Sequence, residues 1–315
     1  MRTSENGTLK ETAPSGKAPT TSVTSEIMEA LPIDLGRRYT EGDVRLNLDL
    51  PSLAGEVSSL RMGGDNRLGV MPSRAVSEFL RYGNMFDVGN PHIERKVLHS
   101  MRVAALSVAI AGEGEYREAD IDLGIMFLAG LLHDCARLPQ FAMFRSYDDH
   151  ATSCDHGDLG ADLLGTYGFL ARFMEGALAS DGDRPDGGGK DPIRGKFEFA
   201  SMAIVESVRW HNKKDLPEGL DPSVIPYARL LRDADIIDIM RLWLTGHMSD
   251  APRPVMRDEV SQEVAESVRR RQTVDRRSIR TAGDRIVSKG ALPWALSATA
   301  RDYMAHVLGM GSAWH

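Results

Sequence analysis

Residues 90–111, NPHIERKVLHSMRVAALSVAIA, and residues 119–134, ADIDLGIMFLAGLLHD, decide the fold. The first stretch opens on Asn90-Pro91: a side-chain acceptor, then the residue whose missing N–H costs nothing at a helix start. Ile93, Val97 and Met101 then recur at helical spacing. In the second stretch Leu123, Phe127 and Leu131 share one face, which predicts a helix over about 119–134. Both carry histidine in an apolar setting: His99 within the first, His133-Asp134 at the end of the second.

Working outward, a third helix is expected to open near Asp155 and to carry Leu159 and Leu163. A fourth is expected over about 196–212, with Ile204, Val208 and His211 on one face, and a fifth over about 223–244. Residues 180–195, SDGDRPDGGGKDPIRG, read as a mobile surface loop. Residues 258–289 are charged, with Arg269-Arg270-Arg271 and Arg276-Arg277, and are expected to form one long exposed helix with a solvated face. Strand-like alternation is scarce and no internal repeat is found. The fold class is therefore all-α, a helical bundle with extra C-terminal helices. The expected division is a disordered tail over 1–24, an N-terminal extension of uncertain structure over 25–89, the bundle domain over 90–250 and a C-terminal helical extension over 251–315.

The chain has 315 residues, 42 % of them hydrophobic, enough for a sizeable core. A net charge of −7 argues against an obligate binder of nucleic-acid polymers, which needs a broad basic surface, but leaves room for a small phosphorylated substrate. Cys135 and Cys154 are the only cysteines, so neither a disulfide framework nor a thiolate zinc site is expected. No apolar run has the length of a membrane span, and the Ser-, Thr- and Gly-containing start lacks the apolar core of a signal peptide, so a cytoplasmic location is expected.

The chemistry lies in how His and Asp are distributed over the helices: His99, His133-Asp134, His156, His211 and Asp235. Imidazole with carboxylate suits one or two divalent ions, Mn, Fe, Co, Ni, Zn or Mg. A carboxylate has two oxygens and can bridge two ions, which at about 3.5–4 Å apart can hold attacking and leaving oxygens together. His156 falls in the first turn of its helix, where a cation gains nothing from the helix dipole, so a neutral ligand is the better role for it. His211, near a helix end, could instead interact with that dipole. Asp235 shares a stripe with Ala228, Leu231 and Ile239, whereas Asp233 lies beside Arg229, so Asp235 is preferred as the last ligand. Cys135 is read as a packing residue rather than a nucleophile.

The order His99, His133-Asp134, Asp235 over about 90–244 resembles the signature of the HD-domain superfamily. The flanking words LHSMRV at 98–103 and GLLHD at 130–134 are similar too. HDCAR at 133–137 with Gln140-Phe141, Asp155-His156 with Gly160, and HNKK at 211–214 with Leu216-Pro217 bring it near a bacterial branch of HD hydrolases. The resemblance implies a metal held by His99, His133, Asp134 and Asp235, with His156 and His211 adding a second around a bridging Asp134. It implies phosphohydrolase or phosphodiesterase activity on a nucleotide-like substrate, with Asp134 and Arg137 catalytic and Arg137 binding substrate. Lys213, read from the residues alone, is a further candidate for binding an anionic substrate or else part of a solvated helix end. Ala136 stands where many relatives have Gly, and no Gly-Tyr-Pro follows His211, so cyclic dinucleotide cleavage of the HD-GYP kind is not implied. Six ligands in this order also fit a di-iron oxygenase of the inositol-oxygenase type. A catalytically silent scaffold is the third alternative. The charged C-terminal segment leaves self-association into a homo-oligomer open.

Overall fold

A computed structural model describes residues 26–27, 29–34, 37–178, 190–248 and 259–308, with the side chains of 190–194 left aside. The tail over 1–24 and most of the 180–195 loop lie outside the described residues. Among those described the regular structure is helical, with a single isolated bridge between Val70 and Leu178. The all-α expectation holds.

Helices α1 (Leu50–Ser58) and α2 (Pro72–Gly83) lie ahead of the bundle. Leu53, Val57, Val76 and Phe79 from them are buried in the main core, so the 25–89 stretch contributes to it. Helix α3 (Pro91–Ala111) starts where the Asn90-Pro91 pair predicts, with the Asn90 side chain accepting from the His92 N–H. Next come α4 (Gly114–Glu118) and α5 (Leu123–Leu132). The single helix expected over 119–134 is shorter than predicted. Asp120 adopts the left-handed conformation, and Asp122 caps α5 by accepting from the Gly124 and Ile125 N–H groups. Every residue from Gly124 to Leu132 is buried, which makes α5 the central helix.

Helices α6 (Arg137–Phe144), α7 (Asp149–Thr152), α8 (His156–Leu164) and α9 (Phe169–Ala177) follow. Helix α8 opens at the predicted place, with Asp155 as its cap. Helix α10 (Lys190–Trp210) begins earlier than expected and takes the end of the anticipated loop into its first turns. Helix α11 (Ile225–Leu244) closes the bundle with Pro226 in its first turn.

The long exposed helix expected over 258–289 does not form. In its place stand α12 (Gln262–Arg269) and α13 (Ala282–Gly290), separated by a turn in which Arg271 is left-handed. Thr281 and Asp284 form a reciprocal capping box that starts α13 afresh. Val264, Ala265, Val268 and Val287 pack with Ile27, Leu31 and Ala291 into a second small core. Helix α14 (Ala298–Val307) then lies back on the bundle through Ala300, Met304 and Leu308.

Two glycines set the helix spacing that matters. A Cβ on Gly130 would lie 2.7 Å from the Ala104 Cα, so α5 crosses α3 in backbone contact. A Cβ on Gly157 would lie 2.5 Å from the Asn212 Oδ1 and 2.8 Å from the Arg209 carbonyl, so α8 begins directly against the end of α10. The first contact brings His133 to His99, and the second brings His156 to His211. No described helix is long and apolar enough to cross a membrane.

Candidate metal centre

Five elements converge on one buried point. His99 comes from the middle of α3, His133 and Asp134 from the end of α5, His156 from the first turn of α8, His211 from just past α10, and Asp235 from α11. Burial on this scale is costly for polar groups without partners, so the partners are informative. Each imidazole has an acceptor at Nδ1. His99 meets Asp238 Oδ2 at 2.8 Å and His156 meets Asp149 Oδ2 at 2.7 Å. His133 meets the Gly130 carbonyl at 2.7 Å and His211 the Val208 carbonyl at 2.6 Å. Four acceptors hold a proton on Nδ1 in all four rings, so that the neutral form of each turns a bare Nε2 lone pair toward the cluster.

Those lone pairs face one another. The Nε2 atoms of His99 and His133 are 3.2 Å apart, and those of His156 and His211 are 3.1 Å apart. Neutral nitrogens with no proton between them repel at that spacing; a cation between them removes the conflict. Asp134 stands between the pairs and offers one oxygen to each. Its Oδ2 lies 3.7 Å from His99 and 3.6 Å from His133, and its Oδ1 lies 3.5 Å from His156 and 3.8 Å from His211. Asp235 Oδ1 adds a carboxylate to the first pair, 3.0 Å from His99 and 3.7 Å from His133. Two overlapping groups here, His99 with His133 and Asp235, and His133 with Asp134 and His211, are close enough to hold a metal ion. The donor set of imidazole nitrogen and carboxylate oxygen fits a divalent ion.

The electrostatics agree with ligand duty at three of the four rings. Burial lowers His133, and it pushes His156 and His211 down to about 4, so these rings are neutral at ordinary pH. Burial also opposes the charge on His99, but Asp235 and Asp238 outweigh it and the net shift is upward. Burial works against the Asp134 carboxylate, yet Lys96, His133 and Arg137 hold it well below the usual range. Asp235 is likewise depressed, with His99 overriding its desolvation.

Every histidine and aspartate expected as a ligand is thus in the cluster. Asp235 lies in the cluster with His99 and His133, and Asp233 does not. Asp233 is also buried, and accepts from the Tyr116 hydroxyl at 2.6 Å and from Ser297. It ties α11 to the C-terminal segment. Arg137 is buried beside the cluster, its Nη1 donating to Gln140 Oε1, the Tyr147 carbonyl and Asp149 Oδ1. Its Nε, buried and without a partner, lies 3.6 Å from Asp134 Oδ1. Lys213 does not enter the cluster; its ammonium meets Asp155 at 2.5 Å and Asp158 at 3.3 Å, across the start of α8. Burial pushes the Cys135 thiol up to about 12, in keeping with a packing role.

Sequence reasoning missed three residues. Lys96 donates to Asp134 Oδ2 at 2.7 Å, one turn before His99 on α3, a spacing that could have exposed it. Asp238 sits one turn beyond Asp235, where the same argument applies. Asp149 reaches His156 across a loop and leaves no periodic trace.

Comparison with known proteins gives one family. The HD domain model matches residues 97–240, a span that contains all six clustered histidines and aspartates. No curated protein and no solved structure matches the chain. HD domains are in general metal-dependent hydrolases that bind divalent ions. Residues 97–240 of the chain are thus identified as an HD domain.

Proposed function

We propose that this chain is a metal-dependent phosphohydrolase or phosphodiesterase that cleaves a small phosphorylated, nucleotide-like substrate. The observation that carries it is the pairing of bare Nε2 atoms around Asp134, with one carboxylate oxygen facing each pair. His99, His133, Asp134 and Asp235 would hold one divalent ion; His156, His211 and the other oxygen of Asp134 would hold a second. Ions there supply a water of lowered pKa and polarise a phosphoryl oxygen.

The chain's own residues do the rest. Lys96 and Arg137 flank Asp134, one cation on each oxygen, which favours an anionic substrate over a neutral one. The unpartnered Arg137 Nε is a donor already fixed in direction, because its Nη1 is held by three acceptors. A donor held in this way needs no reorganisation as charge develops. The burial of all four imidazoles keeps bulk water away and strengthens each of these interactions. Cys135 and Cys154 are both free, in keeping with a reducing cytoplasm.

The test is metal analysis of protein purified without chelator, joined to a screen of generic phosphoesters and nucleotides. Phosphate release that needs Mn, Co or Ni and vanishes in Asp134→Ala is the expected result. Two irons with oxygen-dependent turnover and no phosphate release would overturn hydrolysis in favour of an oxygenase on the same ligands.

A further inference from the structure

The two halves of the cluster are braced by different means. Behind His99 stands Asp238, fully buried, and both its oxygens are held by Arg102: Nε to Oδ1 at 2.8 Å and Nη2 to Oδ2 at 3.0 Å. Arg241 lies 3.7 Å away on the Oδ1 side. Neither arginine is loose. Arg102 Nη1 donates to the Asn47 carbonyl at 3.0 Å, and Arg241 Nε to the Val44 carbonyl at 2.6 Å. A continuous line therefore runs from the chain ahead of α1, through a bidentate guanidinium and a carboxylate, to the imidazole.

Behind His156 stands Asp149, on a helix of four residues between Arg145 and Ser153, both left-handed. Its Oδ1 is shared by Arg137 Nη1 at 2.7 Å and Gln140 Nε2 at 3.1 Å. The Asn212 amide also stands 3.2 Å from His156 Nδ1, where it competes for the position of the Asp149 hydrogen bond. Among the described residues, the His99 half has a carboxylate of its own, Asp235, besides the shared Asp134, and the His156 half does not.

We propose that the two metal positions differ in strength, with Asp238 and Arg102 as positioning residues that make the His99–His133–Asp235 half the tighter one. This rests on the metal reading above and adds which half fills first, and through which residues the segment holding Val44 and Asn47 braces it. A carboxylate behind a ligating imidazole fixes the ring and raises its basicity, and its loss weakens metal affinity about 10- to 100-fold. The effect is greatest where that carboxylate is itself immobile.

The experiment is a titration of the full metal-free chain, labelled with 15N at histidine, with Zn(II), reading each Nε2 resonance. His99 and His133 are expected to shift with the first equivalent, and His156 and His211 with the second. Asp238→Asn is expected to weaken the first step about 10- to 100-fold and to leave the second in place, while Asp149→Asn does the reverse. Arg102→Lys keeps the charge but loses the fork, and should fall between wild type and Asp238→Asn at the first step only. The wild-type titration and Arg102→Lys decide the matter even if Asp238→Asn does not fold. A purely structural role for Asp238 would lower the melting temperature of the metal-free protein without weakening the first step relative to the second, and would overturn the assignment. So would a wild-type titration in which all four rings move together. A chain that takes up no Zn(II) overturns the metal reading itself, a distinguishable failure.

Discussion

The helix bundle and the C-terminal pair α12–α13 solve the same problem by opposite means. In the bundle, helices meet backbone to backbone at Gly130 and Gly157, and ionisable groups are buried because they face one another across those contacts. In the C-terminal pair the apolar core is small, and order depends on one buried aspartate. Asp284 accepts from the N–H groups of Ser261, Arg280 and Thr281, and so joins the start of α12 to the start of α13. The difference predicts that substitutions at the ligands and glycine contacts of the bundle strike metal binding and stability together. Those in the C-terminal pair should strike stability alone.

The largest effect is expected at Asp134, which faces both histidine pairs. Asp134→Ala should abolish metal uptake in both halves and with it all metal-dependent turnover, read by metal analysis and phosphate release. It also strands the Lys96 ammonium, so the metal-free protein should lose stability as well. A variant that retained two metals would separate the bundle's chemistry from its packing and break the comparison. Next comes Gly130→Ala. The added methyl meets the Ala104 backbone and cannot be accommodated by a rotamer change, so α3 and α5 must move apart. Overpacking of this kind costs about 1–3 kcal/mol. Here it should also reduce metal affinity at the His99–His133 half, measured by the same titration, with the His156–His211 half less affected.

The same contrast explains what the sequence disclosed. The ligands of the bundle are legible because each lies in or at the end of a helix whose start or apolar spacing can be read, such as Asn90-Pro91 before His99 or Asp155 before His156. Helical spacing then says which side chains share an interior. The residues bracing those ligands were less visible. Asp238 and Lys96 lie one turn from a ligand, but only burial distinguishes them from surface charges at the same spacing. Asp149 depends on the path of a loop. In the C-terminal segment the arginines dominate the text, and the short apolar triads of α12 and α13 vanish among them. The Thr281-to-Asp284 spacing was a readable stop and start, but the expectation of one helix passed over it.

Asp233 ties the bundle to the segment that follows the C-terminal pair, since it accepts from Tyr116 in the bundle and from Ser297 ahead of α14. Asp233→Ala leaves the buried Tyr116 hydroxyl unpaired and should cost about 1–3 kcal/mol, read as a lower melting temperature. Metal content should not change, because Asp233 faces away from the cluster. A loss of metal would show that the C-terminal segment supports the ligand helix directly, and would sharpen the comparison into a dependence.

The smallest effect, and the cleanest test, is Asp284→Ala. It removes the acceptor for three backbone N–H groups and half of the capping box, at about 1–2 kcal/mol. Faster hydrogen exchange over 262–290 should report the loss, along with a change in the emission of Trp294, which packs on the small core. Exchange around His99 and His133 should not move. The group also sets a pH dependence. Burial raises the Asp284 pKa, but the N–H groups of Ser261, Arg280 and Thr281 outweigh it, and the folded value lies below the ordinary 3.8. A depressed carboxylate contributes its full stability above the unfolded value and loses it as pH falls through the folded one. The α12–α13 pair should therefore hold at neutral pH and loosen below about pH 4, a transition absent from Asp284→Ala. If the variant kept that acid transition, another carboxylate would hold the pair together. The contrast between a bundle locked by glycine contacts and a pair locked by one aspartate would then fail.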